Sequence, residues 1–238
     1  MIWVRPTTLE VQAFCTDAST LELFDLVQNQ PPDWLKDIGP NQNLKPGGTV
    51  KGCVGLRNWT QQTTGIRLWA SVNFRRRADE FLVQWSENVT DTAEPGSTHQ
   101  SGMAEIWTGQ DHIHYRLDSP WLIDCQQQLN IALVDSVWHH PDPGLVRVIP
   151  GIFDVNKMHL INVNCLIRLQ NNDNFTLEAG QHVCRIVWLT DRRIRLRTEF
   201  DPDARKRLTR PRHWFVADWY RGQRAIAEQQ RCPKQRIY

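Results

Sequence analysis

VRVIPGIFDVNKMHLINVNCLIRLQNNDNFTLEAGQHVCRIVWL, residues 146–189, is the stretch whose pattern decides the fold. Within it Ile161, Val163, Cys165, Ile167 and Leu169 alternate with Asn162, Asn164, Leu166 and Arg168. Residues two apart share one face of a strand, so this period predicts a strand with a single buried side. A polar turn is expected over 170–174. After it, Val183, Cys184, Ile186, Val187, Trp188 and Leu189 form a nearly continuous apolar run, as a strand covered on both faces requires.

Outward from this stretch the same period recurs. Over 65–75, Ile66, Leu68, Ala70, Val72 and Phe74 fall on one side and Arg67, Trp69, Ser71, Asn73 and Arg75 on the other. A strand at 81–85 comes closely enough after it to form a hairpin with it. Over 112–117, Ile113, Tyr115 and Leu117 are expected inward, and His112, His114, Arg116 and Asp118 outward. Ser119-Pro120 is expected to break that strand, with further strands at 121–125 and 129–137. Residues 1–15 read as one or two short strands around Pro6. Residues 19–27 fit either a helical turn capped by Ser19 or another strand. The segments 28–48 and 87–103, rich in small and turn-forming residues, read as loops. Near the end Phe215, Trp219, Gly222 and Ile226 recur at helical spacing. The fold class is therefore all-β, a β-sandwich or barrel with a C-terminal amphipathic helix. The expected division is a β-rich body over 1–191 and a basic linker and helix, the arm, over 192–238.

With 238 residues, 40% hydrophobic and 23% charged, the chain has the composition of a soluble domain with one sizeable core. Its 11 tryptophans are scattered, which suits β cores and protein interfaces better than a repeated ligand platform. The six cysteines show no CxxC pair and no metal-ligand spacing, so a reducing compartment is expected. The N-terminus MIWVRPTTLEV lacks the pattern of a signal peptide, and no apolar run is long enough to span a bilayer. The sequons at Asn58, Asn88 and Asn174 carry no weight without a secretory route. Charge is unevenly divided. The segment 192–238 holds 14 Lys/Arg against 5 Asp/Glu, a balance of +9, and the rest of the chain is at −7.

Pro150-Gly151-Ile152-Phe153-Asp154, succeeded by a strand, an Asn-rich turn and Leu177-Glu178-Ala179-Gly180-Gln181, resembles the core of the dUTPase and dCTP-deaminase superfamily. The resemblance implies a β-clip or jelly-roll body containing a hairpin. It also implies a role for Asp154, which would orient the water that attacks a Mg²⁺-bound nucleotide phosphate. Lys157 stands where that family carries an aromatic, and its Arg-Ser motif is not found between Leu129 and Arg147. Across the whole chain, Pro32-Asp33-Trp34, Thr49-Val50-Lys51-Gly52-Cys53, Ser119-Pro120-Trp121 and the Pro150 motif resemble an uncharacterised family of tailed bacteriophages, notably cyanobacterial ones. That resemblance implies a viral setting, in the virion or the host cytoplasm, and no activity.

Two other site readings compete. His140, Asp142 and His182 have the composition of a facial triad for Fe²⁺, although Pro141 and Pro143 give the first pair turn chemistry. His112 and His114 share one strand face without a cupin motif. The basic arm supplies Arg192, Arg193, Arg195, Arg197, Arg205, Lys206, Arg207, Arg210 and Arg212, with Trp214, Phe215 and Trp219 beside them. Contact with nucleic-acid phosphates is one use of these residues. Docking on an acidic protein surface fits the charge split better. The leading expectation is a non-catalytic structural or assembly protein that forms a homo-oligomer or joins other virion proteins, with no membrane and no cofactor. A dUTPase-like hydrolase and an Fe²⁺ oxygenase are the alternatives.

Overall fold

The structure is a computed structural model describing residues 8–28, 43–45, 48–49, 54–77, 80–86, 96–98, 112–139, 144–170 and 172–208. It is mostly β. One sheet has the order β11 (Val146–Val148), β13 (Leu160–Arg168), β9 (His112–Asp124), β1 (Thr8–Cys15) and β16 (Arg193–Phe200), with β8 (Gly96–Thr98) also on β9. A second has the order β12 (Gly151–Asp154), β10 (Asn130–Asp135), β15 (His182–Leu189), β5 (Thr63–Arg67) and β2 (Val27–Gln28). In a third, β6 (Val72–Arg77) lies between β14 (Asn174–Leu177) and β7 (Glu80–Trp85). Two short strands, β3 (Asn43–Lys45) and β4 (Gly48–Thr49), pair with each other. Among the described residues every sheet is open, so the barrel considered from sequence is not what these strands form.

The alternation over 161–169 does what the pattern predicts. Ile161, Val163, Cys165 and Ile167 are buried, while the residues between them are half-buried or exposed. In β15 the residues from His182 to Ile186 are all buried, so both faces of that strand are covered. One apolar core takes Val11 and Ala13 from β1, Ile131 and Leu133 from β10, Ile186 and Trp188 from β15, and Val72 and Phe74 from β6. All three larger sheets thus contribute to the same core. Fully burying one such aliphatic side chain stabilises by about 1.5–3 kcal/mol, and this shared interior is what holds the sheets together.

Several expectations need correction. The 146–189 stretch is not a hairpin, because β13, β14 and β15 lie in three different sheets. The strand expected over 65–75 is two, β5 and β6, separated by a bend at Trp69-Ala70. Its inward set is right throughout: Ile66, Leu68, Ala70, Val72 and Phe74 are all buried. β9 does not stop at Pro120 but runs on to Asp124, absorbing the strand expected at 121–125. There the register against β13 shifts, with Leu160 opposite Leu122 and Asn162 opposite Asp118. A bulge of this kind accommodates a proline that lacks an N–H. His114, expected outward, is buried.

The remaining differences concern helices and the chain end. Over 19–27 the chain forms α1 (Ala18–Phe24), capped by Asp17 rather than Ser19. The Asp17 carboxylate accepts the Ser19 N–H at 3.0 Å and the Thr20 hydroxyl at 2.7 Å. A second helix, α2 (Val54–Gln62), precedes β5. The first part of the expected arm is a strand, β16, and then a short helix, α3 (Ala204–Leu208). The amphipathic helix expected around Phe215 and Trp219 lies outside the described residues.

Candidate functional site

β16 reads RIRLRTEF, and its alternation explains its place. Ile194 and Leu196 are partly buried against the core, while Arg193, Arg195 and Arg197 face solvent. The strand lies parallel to β1, with Glu10 opposite Arg195. Arg195 reaches one Glu10 carboxylate oxygen at 2.9 Å, and Arg197 reaches the other at 3.3 Å. Two cations therefore share one anion, leaving a positive excess on this face. Each of these exposed pairs contributes only about 0–1 kcal/mol. Their role is positional more than energetic.

Beside Glu10 an open cleft of about 310 Å³ lies between β1, the turn after β9 and Arg197. Arg192 links two residues of its lining, donating to the Gln127 side-chain oxygen and, at 3.3 Å, to the Thr8 carbonyl. Further along, Lys206 pairs with Asp203 and Arg207 with Asp201. The bond from Arg207 holds the half-buried Asp201 carboxyl below its ordinary pKa. Arg207 also lies over the Phe14 ring, 4.6 Å from its centre. So Arg192, Arg195, Arg197, Lys206 and Arg207 of the predicted interaction set are engaged within the chain itself. Arg193 is exposed on the same face of β16, and Arg210, Arg212, Trp214, Phe215 and Trp219 lie outside the described residues, while Arg205 lies in α3.

Asp154 closes β12 and is held locally. Its carboxylate accepts the Asn156 N–H at 3.1 Å and pairs with Lys157 Nζ at 2.8 Å. This is the Asx arrangement of a turn, stabilising the chain reversal between β12 and β13. Of the iron-ligand alternative only His182 is placed, at the start of β15, because His140 and Asp142 lie outside the described residues. His112 and His114 both lie in β9, with His112 half-buried.

Sequence reasoning missed Arg185. It is fully buried in the middle of β15. Its Nε–H donates to the Thr63 hydroxyl at 2.6 Å, and its guanidinium lies 3.2 Å from a ring nitrogen of His139. That imidazole in turn packs on His182, ring centres 4.4 Å apart. Desolvation lowers the guanidinium pKa to about 10, so the side chain stays charged at neutral pH. The available signal was a single arginine inside an otherwise apolar run. Among the described residues Cys15, Cys125, Cys165 and Cys184 are buried free thiols. No protein-family model, no curated protein and no solved structure matches this chain.

Proposed function

We propose that the protein is a non-catalytic structural or assembly component, phage-associated as its short motifs suggest, that oligomerises through its β body and its basic C-terminal segment. The observation that carries this reading is β16. It is an eight-residue strand, rich in arginine, at the edge of the largest sheet, and no described strand pairs with its outer side. Such an edge offers unpaired backbone donors and acceptors to another chain. The charge split adds attraction between this segment and an acidic body such as the protein's own. We take the two larger sheets, which share one core, as the layers of a β-sandwich.

Sedimentation of the purified full chain tests the proposal. A discrete oligomer at micromolar concentration is expected, and a monomer at every concentration would sink it. The dUTPase-like alternative gains nothing from Asp154, whose carboxylate is already bonded to Asn156 and Lys157. Pyrophosphate release from a nucleoside triphosphate with Mg²⁺, abolished in Asp154→Asn, would put that alternative first.

A further inference from the structure

We propose that β16 pairs antiparallel with β16 of a second copy of this chain, about a two-fold axis through Thr198. The inference rests on the oligomeric reading above and specifies its contact. Backbone direction comes first. The Asp201 N–H donates to the Cys15 carbonyl at 2.9 Å, continuing the parallel ladder with β1. Backbone groups alternate along a strand, so Arg193, Arg195, Arg197 and Glu199 turn theirs toward β1. Ile194, Leu196, Thr198 and Phe200 turn theirs outward, and an incoming strand must pair with these.

The charges then choose among registers. In antiparallel self-pairing, each residue meets the one equally far beyond the axis. With Leu196 on the axis, Arg195 would face Arg197 twice. With Arg197 or Glu199 on the axis, that residue would face its own copy. With Thr198 on the axis, Arg197 faces Glu199 twice, Leu196 faces Phe200 twice, and no like charges lie opposite. Thr198 is also one of the outward residues, so the axis falls on a hydrogen-bonded pair. Charged residues on an edge ordinarily block pairing. Here they block every neighbouring register and permit one.

Two features of the single chain fit a missing partner. Glu199 has no ion-pair partner among the described residues, while Arg195 and Arg197 have only Glu10 between them. Phe200 is 44% exposed at the edge, where the second copy's Leu196 would cover it.

Sedimentation velocity over a concentration series, with circular dichroism melts to verify folding, reads the dimer. Glu199→Arg sets cation against cation at both crossings, and at least tenfold weaker dimerisation is expected. Adding Arg197→Glu reverses the pair and is expected to restore the dimer. Thr198→Pro removes an N–H that faces away from β1 together with the hydroxyl bond to Asp25, so dissociation is expected with a melt that stays cooperative but falls below that of the wild type. Oxidised Thr198→Cys is expected to give a covalent dimer, and it remains readable if a charge variant fails to fold. A monomeric wild type overturns both this inference and the oligomeric reading. An oligomer that survives Glu199→Arg and Thr198→Pro, or Thr198→Cys that stays uncross-linked, overturns the β16 contact and leaves the oligomeric reading standing. Dissociation by Glu199→Arg without repair by Arg197→Glu overturns the register.

Discussion

Cys15, at the end of β1, has its thiol pushed up to about 12, chiefly by burial. Cys165 and Cys184 are raised for the same reason. In the unfolded chain these groups ionise near 9.0. Below that pH both states are protonated and the thiols contribute fully to stability. Between about 9 and 12 the unfolded chain loses protons that folded Cys15 retains, so unfolding is favoured as pH rises. The slope is about 1.4 kcal/mol per pH unit for each such thiol. Urea unfolding at pH 8 and pH 10 should therefore show a marked loss at the higher value, and a shallower loss in Cys15→Ala. An unchanged slope in that variant would show that the Cys15 thiol does not drive it.

At the scale of elements, Gly65 shows how tightly β5 meets β15. A Cβ built there would lie 2.7 Å from His182 Nδ1 and 2.8 Å from Cε1. That imidazole cannot swing away freely, since it also packs on the His139 ring. Gly65→Ala is expected to destabilise by about 1–3 kcal/mol, the usual range for overpacking. Chemical denaturation measures it, and a variant as stable as wild type would mean that His182 moves at little cost. The same region shows what a strand period can and cannot reveal. The inward residues from Ile66 to Phe74 were legible because burial alternates along an extended chain whichever sheet it joins. The bend at Trp69-Ala70 was not, since the alternation continues through it while the partner strand changes. Pro120 misled for a related reason: its missing N–H breaks a regular ladder but fits a bulge, and bulges depend on the partner's register. Arg185 was hidden in the apolar run around it, because the partners its guanidinium N–H groups reach, Thr63 and His139, are remote in sequence.

For the whole molecule, the decisive feature is that its described beginning and end lie side by side. β1 pairs with β16 in register from Thr8–Arg193 to Cys15–Phe200, across nearly the entire chain. The positive charge of 192–238 suggested an arm separate from the body, and it masked the alternation of Ile194, Leu196 and Thr198 that marks a strand. The segment just beyond β16 is anchored as well. Ala204 is buried with Phe14 and Leu122, and within β16 the Thr198 hydroxyl donates to Asp25 at 3.2 Å. A chain ended after Asp191 would strip β1 of its parallel neighbour, uncover Leu9, Val11 and Phe14, and leave Glu10 without Arg195 and Arg197. A chain ended after Leu208 keeps all of these contacts. The first truncation is expected to lose its cooperative thermal transition or aggregate, and the second, which keeps β16 and α3, to retain a cooperative one. Calorimetry of the two chains decides the matter. A stable, cooperative 1–191 fragment would restore the boundary suggested by the charges and reduce β16 to an accessory strand, with the self-pairing proposed for it left resting on a dispensable edge.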